Sequence, residues 1–501
     1  LLDLLKPLKF NPRGGLTVVS NRGPYTFRKT ARGIQATPSV SGLVSAIQPV
    51  IKQIHGTWVA WGGRYGTEEE TLGRSLTLQK TDKWLFQEVM LTQPETAGYY
   101  EGMCNGCLWP LCHNFIEKSV FDEEMWRSYR RVNRKFADVV LQTTGPGDMI
   151  WVQDFHLALL PWYICRQRPG ARVSVFWHIP FPPPEIFMVL PWATELIKGL
   201  LNCEFIGFHT EGYVRNFLLS VREICGAAID IARGLVFGPE RIVRVGAVPI
   251  GIDWREFQNL AAQPGVIRKA AGIRSSIGGE YVIIGVDRLD YTKGIPERLQ
   301  ALEHLLENRP EYKGKLTFVQ VAVPSRTDVA AYRSLRRRIE EIVGRINGKY
   351  TENFHVPVRY LFKPLSREDL AAHYLAADMA VVTPLKDGLN LVAKEYVAVK
   401  SDGGGVLILS PFAGAAVQLT EALTANPYDP REMANQVIAG IEMDETEKKR
   451  RMLALARSVR EEDISWWWQR IQQNWLIDSE SAGESPPDSA IDGMLTRGVV
   501  L

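Results

Sequence analysis

Between residues 16 and 209, short β-branched and aromatic runs alternate with stretches whose apolar positions recur at helical spacing. LTVVS (Leu16 to Ser20), TWVAWGG (Thr57 to Gly63), MIWVQD (Met149 to Asp154), RVSVFWH and CEFIGFH (Cys203 to His209) are apolar almost throughout, as strands of a parallel sheet covered on both faces must be. The intervening pattern predicts helices over Asp122 to Leu141, Glu185 to Leu201 and Gly212 to Cys225. After IVRVGAVPIGID (Ile242 to Asp253) a second series begins: YVIIGVD (Tyr281 to Asp287), LTFVQVAV, VRYLFK, DMAVV (Asp378 to Val382) and GVLILSP, each with a helix after it. This alternation predicts an α/β protein of two Rossmann-like, doubly wound domains facing a central cleft. The crossing is placed near Pro249 to Phe257, giving domains at residues 1–250 and 251–459. A helical stretch from about Thr446 to Ile477, with Trp466-Trp467-Trp468, is expected to pack across both domains, its part from about 460 to 477 returning to the first. Residues 478–501 have almost no core formers and are expected to be disordered.

Polar residues that follow these strands fall where such sheets bind ligands. In TPLKDGLNLVAKEY (Thr383 to Tyr396), Pro384 closes the strand, Gly388 is expected to carry the sharp turn, and the amides from Leu389 to Val392 open a helix N-terminus suited to anions. Asp387 and Glu395 add carboxylates for a polyhydroxylated ligand, although an Asp-Gly after a strand is, by itself, more often only a turn. Arg288 and Lys293 stand between a strand end and the helix Ile295 to Leu306, where two cations and a helix dipole can neutralise a diphosphate. An Arg-Asp ion pair inside the same motif explains these residues equally well. Arg22, Asp154, His178 and Arg326 lie at other strand ends, and Ser39-Val-Ser41-Gly42-Leu43 opens a helix with small residues. The Gly-broken segment with Tyr99, Tyr100, Asn105 and Trp109 collects polar-tipped aromatics that suit either a sugar ring or a loop packed on a core.

A chain of 501 residues is too long for one ordinary core, and 46% hydrophobic with 23% charged residues is a globular composition. The net charge of +3 is spread along the chain, which argues against nucleic acid as a partner. No apolar run has the roughly 18 residues of a membrane span, and LLDLLKPLKF lacks the basic start and cleavage site of a signal peptide, so a cytoplasmic protein is expected. Of the six cysteines only Cys104 and Cys107 have CxxC spacing, and buried free thiols are expected rather than zinc or a disulfide.

From Leu16 to about Ile477 the chain carries, in order, VVSNR, the YY…N…LWP segment, WVQDFH, HIPFPPPEIF, PIGID, RLDYTKGIPER, VPSR, GRINGKY, TPLKDGLNLVAKEY, LSPFAGAA and NPYD. In these motifs it resembles the trehalose-6-phosphate synthases, retaining glycosyltransferases of the GT-B type. The resemblance implies transfer of glucose from a nucleotide-glucose, UDP-glucose foremost, to glucose 6-phosphate, giving trehalose 6-phosphate in trehalose biosynthesis. It assigns Arg22, Tyr100, Trp109, Asp154 and Arg326 to the acceptor, with the two arginines on its phosphate. To the donor it assigns Ser41 and Gly42, Arg288 and Lys293 on the diphosphate, the backbone of Leu391, Val392, Ala393, Lys394 and Glu395, Glu395 also on the ribose, and Leu365 and Leu370 near the base. His178 and Asp387 would hydrogen-bond the transferred glucose, and with Asp154, Arg288 and Lys293 they form the candidate catalytic set.

Three positions depart from the usual pattern: Ser41 replaces a glycine, Gln153 a frequent histidine, and Leu365 an aromatic near the base. The last leaves uridine, adenosine and guanosine donors open. No DxD pair follows a strand, so no metal and no other cofactor is expected, the two cations standing in for one. No carboxylate nucleophile is evident, which favours front-face retention, the leaving phosphate oxygen taking the acceptor's proton. The expected partners are the small-molecule substrates, neither nucleic acid nor membrane, with a separate trehalose-phosphate phosphatase to remove the product phosphate and a homo-oligomer left open. Two other readings share the fold. A glucosylglycerol-phosphate synthase would take glycerol 3-phosphate, against which Arg326 and the Tyr100/Trp109 frame argue. A catalytically silent regulatory subunit would not need Arg288, Lys293, Asp387 and Glu395, all present.

Overall fold

Twelve strands of the first half and six of the second are defined among the described residues of the computed structural model, which are 15–30, 33–39, 42–54, 56–67, 77–81, 84–238, 240–326 and 329–476. The leader, Ser41 and the tail expected to be disordered lie outside them. The chain divides into two units, Leu1–Pro249 with Trp467–Leu501, and Ile250–Trp466.

The first unit contains β1 (Leu16–Arg22), β2 (Tyr25–Thr30), β3 (Gly33–Pro38), β4 (Thr57–Tyr65), β5 (Thr77–Thr81), β6 (Trp84–Leu91), β7 (Met149–Gln153), β8 (Arg172–Phe176), β9 (Phe205–Phe208), β10 (Ala228–Asp230), β11 (Leu235–Phe237) and β12 (Ile242–Ala247). One sheet runs β10-β11-β12-β9-β8-β7-β1-β4-β6-β5, with all neighbours from β12 to β6 parallel, and β2 and β3 form a separate hairpin. From β1 the chain winds outward through β4 to β6, then returns to the other side of β1 at β7 and winds outward again. Loops after β1 and β7 therefore diverge, which opens a crevice at their carboxyl ends.

The second unit repeats this plan with β13 (Tyr281–Arg288), β14 (Leu316–Val323), β15 (Val358–Leu361), β16 (Met379–Val382), β17 (Val406–Leu409) and β18 (Leu423–Thr424). Their order is β15-β14-β13-β16-β17-β18, all parallel, so the reversal lies between β13 and β16.

Burial explains the strand composition: every residue of β7 and β16 is buried. Trp151 of β7 lies 5.3 Å from Trp467, 5.6 Å from Trp468 and 5.3 Å from Trp475, ring to ring, while Trp467 Nε1 donates to the Val248 carbonyl at 3.1 Å. Trp467 and Trp468 are thus core of the first unit's sheet, while Trp466 is half-buried and ends the second unit. Two expected helices are broken. Glu185 to Leu201 contains Pro184–Phe187 and Ala193–Leu200, with Pro191, which has no N–H for a helical ladder, between them. Thr446 to Ile477 contains Glu445–Glu461 and Ile464–Leu476, because the Asp463 carboxylate accepts from the amides of Ser465 (2.8 Å) and Trp466 (3.0 Å) and caps a new start. β6 escapes the apolar pattern because Gln87 and Glu88 interrupt it; both are buried, and Glu88 is paired with Arg64 at 2.7 Å.

Candidate active site

In the second unit the loops after β13 and β16 meet, the Leu385 amide donating to the Thr292 carbonyl at 2.8 Å. Arg288 is the exposed last residue of β13. Five residues on, Lys293 Nζ reaches Asp387 Oδ2 at 2.5 Å, and Asn390 Nδ2 donates to the same oxygen at 3.0 Å. The sequence reading gave Lys293 and Asp387 separate tasks; the fold ties them into one ion pair. Beneath it, Arg298 and Asp287 pair at 2.7 Å with side chains 1% exposed, and Arg298 Nη2 donates to the Lys293 carbonyl at 2.6 Å. Gly294 between these elements has φ 67°, and a Cβ there would sit 2.5 Å from the Thr383 carbonyl oxygen, so the turn demands glycine twice over.

The turn into the helix Leu391–Val399 corrects one expectation. Its left-handed residue is Asn390 (φ 80°), not Gly388, and Asn390 Oδ1 caps the helix by accepting from the Ala393 amide at 3.4 Å. Gly388 instead packs backbone against backbone: a Cβ on Gly414 would fall 2.1 Å from its carbonyl oxygen. Glu395 accepts from the Tyr374 hydroxyl at 3.2 Å; desolvation raises its pKa although this bond opposes the shift. The buried Lys394 side chain donates to the Ile250 carbonyl at 2.9 Å, and burial lowers its pKa to about 7. Leu365 precedes the N-cap Ser366 of the helix Arg367–Ala376, and it and Leu370 on that helix are half-buried.

Arg326, after β14, has φ 48°. Its Nη1 donates to Asp290 Oδ2 at 3.3 Å and to the Tyr332 hydroxyl, which itself donates to Asp290 Oδ2 at 3.0 Å. Asp290 is fully buried, and its other oxygen accepts from the Thr292 amide and hydroxyl at 3.0 Å each. Desolvation pushes its pKa up, but Arg326, Arg288 and Lys293 together outweigh this and the net shift is downward.

In the first unit the corresponding crevice lies between β1 and β7. Arg22 closes β1 with its guanidinium carbon 3.9 Å from the Trp61 ring centroid and 5.4 Å from that of Tyr100, which stacks on His156 at 6.0 Å. Gly63 makes room: a Cβ there would lie 2.7 Å from Arg22 Nη1. Asp154 follows β7 with φ 72°, and its Oδ1 accepts from the amides of Phe155 (3.0 Å) and His178 (3.1 Å). The His178 imidazole donates Nε2–H to Gln153 Oε1 at 2.9 Å, and burial lowers its pKa to about 3, leaving it neutral. Trp109 is buried, its ring 4.2 Å from that of His113, at the end of a stretch, Ala97–Leu108, that winds as π-helix. Gly42 heads the helix Gly42–Gln53.

The fold thus gathers Arg22, Tyr100, Asp154 and His178 at one switch point, and Arg288, Lys293 and Asp387 at the other. Trp61, His156, Arg298 and Tyr332 were missed as partners. Trp61 looks like core in sequence; Arg298 meets Asp287 and the Lys293 carbonyl from the helix that follows them, and Tyr332 reaches Asp290 across 42 residues. The six cysteines are free, five of them buried. Among the described residues no three or more His, Cys, Asp or Glu are grouped to hold a metal, and no helix is long and apolar enough to cross a membrane.

Residues 15–475 match the model of glycosyltransferase family 20. The chain is 39% identical over 488 residues to the trehalose-6-phosphate synthase of Mycolicibacterium smegmatis, covering 96% of this chain and 95% of that one. Among solved structures it is similar to the E. coli trehalose-6-phosphate protein bound with UDP-2-fluoro glucose (34% identity, TM-score 0.85, 92% of this chain and 99% of that one). It is similar also to a UDP-forming α,α-trehalose-phosphate synthase from Burkholderia xenovorans in complex with glucose-6-phosphate (31% identity, TM-score 0.84, 92% of this chain and 100% of that one).

Proposed function

The chain belongs to glycosyltransferase family 20, and we propose that it transfers glucose from UDP-glucose to glucose 6-phosphate with retention at the anomeric carbon, forming trehalose 6-phosphate in the cytoplasm. The observation that carries this reading is the convergence of Arg288, Lys293 and Asp387 with a capped helix N-terminus at the switch point of the second sheet. Breaking the anomeric C–O bond builds negative charge on the departing diphosphate, and fixed cations aimed at that charge stabilise the transition state. The donor's ribose falls to Glu395, its base to Leu365 and Leu370, and its backbone contacts to Gly42 and Leu391 to Glu395. The uridine choice is supported by the ligand of the E. coli relative.

Arg22, Tyr100, Trp109 and Asp154 serve the acceptor, and Arg326 takes a share of its phosphate. His178, being neutral, offers a hydrogen bond rather than a charge to the transferred sugar. Asp387 is held by Lys293 and Asn390, an arrangement that suits a sugar-binding ion-pair partner better than a nucleophile. This favours front-face retention, in which the leaving phosphate oxygen accepts the acceptor's hydroxyl proton, without a metal.

The test is to incubate the full chain with UDP-, ADP- and GDP-glucose against glucose 6-phosphate and glycerol 3-phosphate, and to identify the product and its anomeric configuration. UDP-glucose with glucose 6-phosphate should give α,α-trehalose 6-phosphate, at a rate that EDTA leaves nearly intact. Preference for glycerol 3-phosphate, an inverted product, or strict dependence on added Mg²⁺ or Mn²⁺ would each overturn the corresponding part of the reading. Arg326→Lys keeps the charge but loses the planar fork. It should raise the KM for glucose 6-phosphate about tenfold or more, roughly 1.4 kcal/mol, with the donor KM hardly changed.

A further inference from the structure

We infer that Tyr332 and Asp290 are positioning residues for the acceptor phosphate, acting through Arg326. The inference rests on the assignment of Arg326 to that phosphate and goes beyond it. Arg326 sits in a left-handed backbone conformation (φ 48°) that L side chains rarely adopt, so its direction is set by what holds it. Two groups do so through one nitrogen: Nη1 donates to Asp290 Oδ2 and to the Tyr332 hydroxyl. The tyrosine passes the contact on, donating its own hydrogen to Asp290 Oδ2 at 3.0 Å. Fixing Nη1 at two points fixes the plane of the guanidinium, and with it the direction of the Nε–Nη2 edge. A bidentate phosphate contact depends on that direction.

Neither partner is itself suited to meet the ligand. Asp290 is an anion, 0% exposed, and Tyr332 is 2% exposed on the helix Ala330–Tyr350. Asp290 is anchored by the two bonds from Thr292, in the same short turn that carries Lys293. The acceptor arginine is thereby indexed to the loop that presents the donor-side cations, so a shift of that loop moves both. Arg326 alone could bind a phosphate from many directions; the triad selects one.

Tyr332→Phe removes only the hydroxyl and leaves the ring packed against Tyr291, 5.7 Å away. It removes the hydroxyl's bond to Arg326 and leaves in place the 3.3 Å contact to Asp290 and the ring face 5.4 Å from the guanidinium carbon. The expected result is a KM for glucose 6-phosphate raised about fivefold, the net worth of one typical hydrogen bond. Turnover at saturating acceptor, the donor KM and the melting temperature should stay close to the parent. Glucose used as a weak acceptor without a phosphate should be turned over unchanged, a readout that a general structural defect would move. The double variant Tyr332→Phe/Arg326→Lys should be no worse than Arg326→Lys alone, because both act on one contact.

If Arg326→Lys raises the acceptor KM and Tyr332→Phe does not, the positioning role is wrong while the assignment of Arg326 stands. If Arg326→Lys also leaves it unchanged, the assignment fails and the inference with it. A Tyr332→Phe variant that loses thermal stability and slows glucose and glucose 6-phosphate alike would reduce the triad to packing and overturn the proposal.

Discussion

Arg288→Ala is expected to lower turnover a few hundredfold, the roughly 3 to 4 kcal/mol lost when a preorganised contact to transition-state charge is removed. Arg288 ends β13 at the reversal of the strand order, where a ligand above the sheet meets it first. In the proposed ground state the donor's two negative charges are already spread over the diphosphate, and Lys293 would answer part of them. As the sugar departs with positive charge the diphosphate gains a further fraction, and that increment is what an exposed guanidinium at a strand end stabilises. Loss of Arg288 should therefore fall on kcat more than on UDP binding measured by calorimetry. Lys293→Ala should be harder to interpret, since it also leaves Asp387 without the ammonium that holds it at 2.5 Å. Arg288→Ala within tenfold of the parent rate would remove Arg288 from the chemistry.

The strand ends were legible because each joins two signals that do not depend on distant contacts: an apolar run buried on both faces, then a charged or small residue where the run stops. Arg22, Asp154, His178, Arg288 and Arg326 were all placed at or just beyond strand ends in this way. The order of strands was not legible, and it is the order that brings β1 beside β7 and β13 beside β16 and so turns separate strand ends into two sites. The Lys293–Asp387 pair spans 94 residues, and Arg298, eleven residues from Asp287, was not singled out in the sequence. Gly388 was credited with the turn that Asn390 makes because glycine is the commoner answer to a positive φ; asparagine adopts it here and caps the helix with the same side chain. Strands β5 and β10 and the β2–β3 hairpin were not foreseen, being short or polar elements at sheet edges or outside the two main sheets, where no core enforces an apolar pattern.

Asp287→Ala is expected to destabilise the second unit by about 3 to 5 kcal/mol, because it strands the Arg298 guanidinium in a dry interior. Both side chains are 1% exposed, and Gln320 Nε2, which donates to Asp287 Oδ2 at 3.2 Å, loses one of its acceptors as well. For a unit of this size the loss corresponds to a melting point lower by on the order of 10 °C, readable by calorimetry. Replacing both partners with apolar residues of similar volume, as in Asp287→Leu/Arg298→Met, removes the buried charge and should recover much of the stability. It should not recover activity. Arg298 Nη2 also donates to the Lys293 carbonyl at 2.6 Å, so the apolar pair leaves the Lys293 turn without its anchor from below. A double variant that is stable yet slow would separate what the ion pair does for the fold from what it does for the donor lysine. One that is both stable and fast would show that the Gly294 turn holds Lys293 unaided.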